Sequence, residues 1–89
     1  MARFEMAHID MNNVGQGPSP ADTFYELGIR YSVGHAVETD LIAAHKWFNL
    51  AAMKGSREAV QLRQEIAANM SPADVAAAQR AARDWLKTQ

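Results

Sequence analysis

Seventeen alanines constrain what this chain can fold into more than any other feature. Apolar residues are 48 % of the 89 positions, and removing the alanines leaves only 26 larger apolar side chains to build a core. Alanine has the best intrinsic helix propensity and loses no side-chain entropy on folding, so the composition predicts an all-α fold. It also predicts a thin core. A domain of this size buries only roughly 60–65 % of the surface of its unfolded chain, and each alanine adds little area to that total. Either the helices pack unusually closely, or another molecule completes the core.

The remaining composition narrows the function classes. There is no cysteine, which excludes disulfide frameworks, thiolate zinc sites and cysteine nucleophiles. The longest apolar runs span only a few residues, far below the roughly 20 needed to cross a bilayer. No continuous apolar stretch follows Arg3, so no signal peptide is expected and the expected location is the cytoplasm. A net charge of −1 argues against a dedicated nucleic-acid binder. The charge is nonetheless uneven, at −4 over residues 1–40 and +3 over residues 41–89, which suits head-to-tail association.

Helix boundaries are written in the capping residues. Ser19-Pro20-Ala21-Asp22 recurs as Ser71-Pro72-Ala73-Asp74, and both copies read as helix starts. The serine hydroxyl accepts an orphan amide hydrogen bond, proline needs no partner at the first helical position, and the acid suits the positive helix end. Four helices are predicted, at about 20–33, 41–54, from 56 and from 71, with Asp40 opening the second and Gly55 closing it. The core face of the first is expected at Phe24, Leu27, Gly28 and Tyr31. The third presents Ala59, Leu62, Ile66 and Met70, and the fourth presents Val75, Ala78, Ala82, Trp85 and Leu86. Short turns between them predict antiparallel helical hairpins. Residues 1–18 read as a separate tail. Arg3-Phe4-Glu5-Met6 alternates as a short extended segment, either free or pairing between copies, and a linker through Gly15, Gly17 and Pro18 follows.

Residues 23–59 carry a recognisable pattern: Leu27-Gly28, Tyr31, Gly34, Val37, Asp40, Ala44, Trp47-Phe48, Ala51-Ala52, Gly55 and Ala59. This stretch resembles the Sel1-like repeat, a relative of the tetratricopeptide repeat. The departures are Thr23 for the usual first alanine, Ala36 for the second loop glycine and Phe48 for tyrosine. The echo then fades. At an offset of 36 Thr23 maps onto Ala59, but Gly28 falls on Gln64 and Trp47 on Arg83. The resemblance therefore implies an α/α solenoid fragment within residues 19–89, one full repeat plus a divergent C-terminal hairpin. In physical terms Gly28 and the alanines allow close helix approach, Trp47 and Phe48 supply the missing apolar area, and the Tyr31 hydroxyl is expected to cap the pair.

Solenoid repeats contact only their neighbours, and about three are normally needed for stable burial. A single repeat therefore points to a partner, either a second copy or another protein. Tyr25 and Ile29 on the first helix, and Ile42, Leu50 and Met53 on the second, lie away from the expected core faces and are candidate contacts. Trp85, Leu86 and Gln89 at the C-terminus are further candidates, because a fraying last turn would expose an aromatic-aliphatic pair. The resemblance implies a non-catalytic, homo-oligomeric adaptor or regulator in bacterial signalling or protein quality control. It also implies an ATP-dependent protease such as Lon as a candidate partner to be bound and activated. The alternatives are a structural homo-oligomer without a client, or a small-ligand binder using a groove between helices.

No catalytic constellation stands out. His8, His35 and His45 lack metal-pair spacing, with His45 expected on the polar side of its helix, and the serines are expected at caps or in a loop. Arg80, Arg83 and Lys87 form a basic stripe that reads as a solvated face. No cofactor, metal, nucleic acid or membrane partner is expected.

Overall fold

The computed structural model describes residues 19–89; the segment 1–18, with its expected extended stretch and linker, lies outside the described residues. Among the described residues the structure is all-helical, and each helix starts where a side chain caps it. In α1 (Pro20–Val33) the Ser19 hydroxyl accepts the Asp22 amide at 3.1 Å. In α2 (Leu41–Met53) the Asp40 carboxylate accepts the Ala43 amide at 3.0 Å. In α3 (Arg57–Ala67) the Ser56 hydroxyl accepts the Ala59 amide at 3.1 Å. In α4 (Pro72–Lys87) the Ser71 hydroxyl accepts the Asp74 amide at 3.0 Å. Each bond satisfies one of the amides that a helix N-terminus leaves without a partner. Ser32, expected in a loop, lies in the last turn of α1, where its hydroxyl donates to the Ile29 carbonyl at 2.9 Å.

Two backbone positions end the first helix and shape the loop that follows. Gly34, at φ 76°, donates its amide to the Arg30 carbonyl at 2.8 Å. Two residues on, Ala36 takes φ 68°, a left-handed conformation that costs a residue with a Cβ about 1–2 kcal/mol. The loop closes where the Asp40 amide donates to the Tyr31 carbonyl at 2.9 Å, tying the start of α2 to the end of α1. Tyr31 thus couples the two helices through its backbone. No hydrogen bond from its hydroxyl is found among the described residues, contrary to expectation.

α2 is the central element, with α1, α3 and α4 all packed against it. The contact with α1 turns on Gly28. An added Cβ there would lie 2.5 Å from Cδ1 and Cε1 of Phe48, so the Phe48 ring occupies the space a side chain would need. Ala44, Ala51, Ala59, Ala78 and Ala82 are all 0 % exposed. Five alanines, spread over three helices, are therefore part of the interior. Large side chains fill one end of the core, where Phe24, Trp47 and Trp85 from three helices meet. Ring centroids lie 5.7 Å apart for Phe24–Trp47, 5.1 Å for Phe24–Trp85 and 5.7 Å for Trp47–Trp85, within the range in which aromatic pairs attract beyond their buried area.

α3 and α4 do not pack extensively on each other; each instead packs on α2. The expected pairing of a C-terminal hairpin is therefore replaced by attachment of both helices to the central one. The physical reason lies in α3, whose one fully buried residue is Ala59. Its apolar stripe, continued by Leu62 and Ile66, is spent on the core around α2.

Candidate functional site

The inward face of α1 differs from expectation. Phe24, Tyr25, Gly28, Ile29 and Tyr31 meet the core, and Tyr25 stands 5.9 Å from the Phe48 ring. Leu27 is turned away, with Asp22, Thr23, Glu26 and Arg30, along an open groove of about 610 Å³. All the described residues lining this groove belong to α1. Tyr25 and Ile29, expected to face outward, are half-buried against the core.

On α2 the largest correction concerns Leu50, which is 1 % exposed and belongs to the core. A helix packed on three sides has little outward surface, so an apolar residue off its main stripe meets a second neighbour rather than solvent. His45, expected on the polar side, is enclosed for the same reason. Ile42 is half-buried and lies outside the main core cluster, while Met53 is exposed at the C-terminal end of the helix.

Among the described residues, the large apolar side chains left in solvent are Val33 (65 % exposed), Met53 (56 %) and Leu86 (40 %). Each lies in the last turn of its helix. Leu86, expected to face inward, points out of the fold, whereas its neighbour Trp85 is half-buried against Phe24 and Trp47. Gln89 is exposed at the C-terminus. The structure thus divides the candidate contacts. Ile42, Met53, Leu86 and Gln89 keep accessible surface; Leu50 has none; and Tyr25, Ile29 and Trp85 are committed to internal packing. Val33, which sequence reasoning missed, joins the accessible group. Its signal was present, since Val33 closes α1 immediately before the Gly34 turn.

One polar cluster sits between α2 and α3. Asn49 Oδ1 accepts a hydrogen bond from Arg63 Nη1 at 2.6 Å, and His45 lies one turn before Asn49 on α2. Burial, reinforced by the positive charge of Arg63, holds the His45 imidazole below its usual pKa. Lys46 places its ammonium 4.3 Å from the centre of the Trp47 ring, a cation–π distance. Among the described residues no group of three His, Asp or Glu side chains is placed to hold a metal ion, and no helix is long and apolar enough to cross a membrane.

No family model, curated protein or solved structure significantly matches this chain. Function must therefore be argued from its own residues.

Proposed function

We propose that the chain is a non-catalytic protein–protein interaction module of the Sel1-like kind, acting as an adaptor or regulator. The observation that carries this reading is the seating of Phe48 on Gly28, with Trp47 beside Phe24. Residues at the core of the resemblance are the ones that join α1 to α2. Three further positions agree with it. Gly34 and Ala36 both adopt left-handed backbone where the repeat pattern has its two loop glycines, and Asp40 caps the second helix. On this reading α1 and α2 form the antiparallel hairpin of one α/α solenoid unit, with α3 and α4 as a divergent end. A repeat unit acts by presenting surface. The accessible apolar side chains at the ends of α1, α2 and α4 are where this one would do so.

The partners to be tried first are a second copy of the chain and an ATP-dependent protease such as Lon. Light scattering on the purified full-length chain measures self-association. Binding to purified Lon, and any stimulation of its peptidase activity, measures the second case. Met53→Glu and Leu86→Glu should weaken whichever association is found while leaving the circular dichroism spectrum unchanged. An association that both variants retain in full would refute these side chains as the contact surface. A monomer that binds no protein would refute the adaptor reading itself.

A further inference from the structure

We propose that His45 makes the contact between α2 and α3 acid-labile, so that protonation of its ring releases α3 from the central helix while α1 stays in place. The ring is 3 % exposed, and its Nδ1 is buried without a hydrogen-bond partner. A neutral imidazole tolerates that position, because one nitrogen merely forgoes a bond. An imidazolium fares worse, because it must carry an N–H at both nitrogens and a charge in a place shut off from water.

The charged surroundings oppose the proton as well. From α3, the Arg63 guanidinium is fixed by Asn49 one turn along α2 from His45, and its field disfavours a second positive charge. From α1, α2 and α4 no charge among the described residues acts on the ring; the Lys46 ammonium lies instead over the Trp47 ring. Burial and the Arg63 charge thus oppose the proton, and the backbone of His45 itself favours it.

α3 is the element that would yield. It has 11 residues, below the length at which a helix holds by itself in water, and Ala59 is its one fully buried residue. Its side-chain hydrogen bond to α2 is the Asn49–Arg63 bond beside His45. The joint between α1 and α2 lies elsewhere, at Gly28 and Phe48. Opening α3 uncovers Ala59, Leu62 and Ile66 with the part of the core they pack on, turning an internal contact into an apolar surface.

The sign follows from linkage. The folded-state pKa lies below the ordinary 6.5, so the contact is indifferent to pH above that value. As pH falls below 6.5 the opened form takes up a proton that the closed form refuses. One proton shifts the opening equilibrium by about tenfold for each pH unit, until the closed form also titrates. The test is amide hydrogen exchange of the full-length chain between about pH 7 and pH 5.5, corrected for intrinsic exchange, with the His45 ring titrated by NMR in parallel. Protection of α3 amides should drop by up to about tenfold in that window while α1 amides hold, and His45→Phe should flatten the response. His35→Gln should leave it unchanged. Unchanged α3 protection, a loss shared equally by α1, or a slope that survives His45→Phe would overturn the proposal. Should His45→Phe fail to fold, a wild-type ring that titrates at or above 6.5 would overturn it alone.

Discussion

Replacing Gly28 by alanine sets two known effects against each other, and the structure decides which wins. In favour of the variant, alanine is about 1 kcal/mol better than glycine in a helix interior. Against it, the new Cβ would lie 2.5 Å from two Phe48 ring carbons and 2.9 Å from a third. Carbon atoms pack at about 3.5–4.0 Å, so the ring or the helix must move by about 1 Å. Phe48 is among the largest fully buried side chains, so its ring is enclosed by the fold and not free to swing into solvent. Overpacking of this kind costs about 1–3 kcal/mol, and three clashing ring atoms place it at the upper end. The net expectation is a loss of about 2 kcal/mol, or about thirtyfold in the folding equilibrium. Urea denaturation followed by tryptophan fluorescence reads this directly. With a slope of about 1–2 kcal/mol per molar for a domain of this size, the midpoint should fall by about 1–2 M. A partial rescue by Phe48→Leu in the same chain would show that the ring is the obstacle. An unchanged or raised midpoint for Gly28→Ala would mean that helix propensity outweighs the contact, and the close approach of α1 and α2 would be refuted.

Further outcomes follow from other residues. Ala36→Gly removes a strained left-handed alanine and should raise thermal stability by about 0.5–1 kcal/mol, since the greater freedom of glycine in the unfolded chain offsets part of the gain; a lower melting temperature would contradict the loop conformation. Asp40→Ala should cost about 1 kcal/mol through loss of the cap on α2, read by the same urea titration. Trp85→Ala removes one member of the three-ring cluster and should cost about 2–4 kcal/mol, with a change in the near-ultraviolet dichroism of Trp47; a neutral result would place Trp85 in solvent. Asn49→Ala leaves the Arg63 guanidinium without its acceptor and should raise hydrogen exchange in α3 more than in α1.

The sequence by itself determined where all four helices begin and where the first two end, but not where the third ends, since Met70, expected on it, lies beyond Ala67. Ser19, Asp40, Ser56 and Ser71 each bond an amide three residues ahead, and the left-handed backbone at Gly34 acts on the turn just behind it. Interactions that close within one helical turn can be read along the chain without knowing what lies beside it. It also led to the expectation that α1 and α2 approach closely at Gly28, while the seating of Phe48 on that glycine is decided by the tertiary structure. What it could not determine was which flank of a helix turns inward. Leu27 and Ile29 stand symmetrically about Gly28, each about 100° around the helix, and only the positions of the other helices put Ile29 against the core and left Leu27 at the groove. His45 and Leu50 were misjudged for the same reason. Their burial depends on α2 being packed by α1, α3 and α4 at once, a count of neighbours that no periodicity along α2 encodes. Local hydrogen bonds set the elements; the number and placement of neighbours set the faces, and with them the residues left free to meet another molecule.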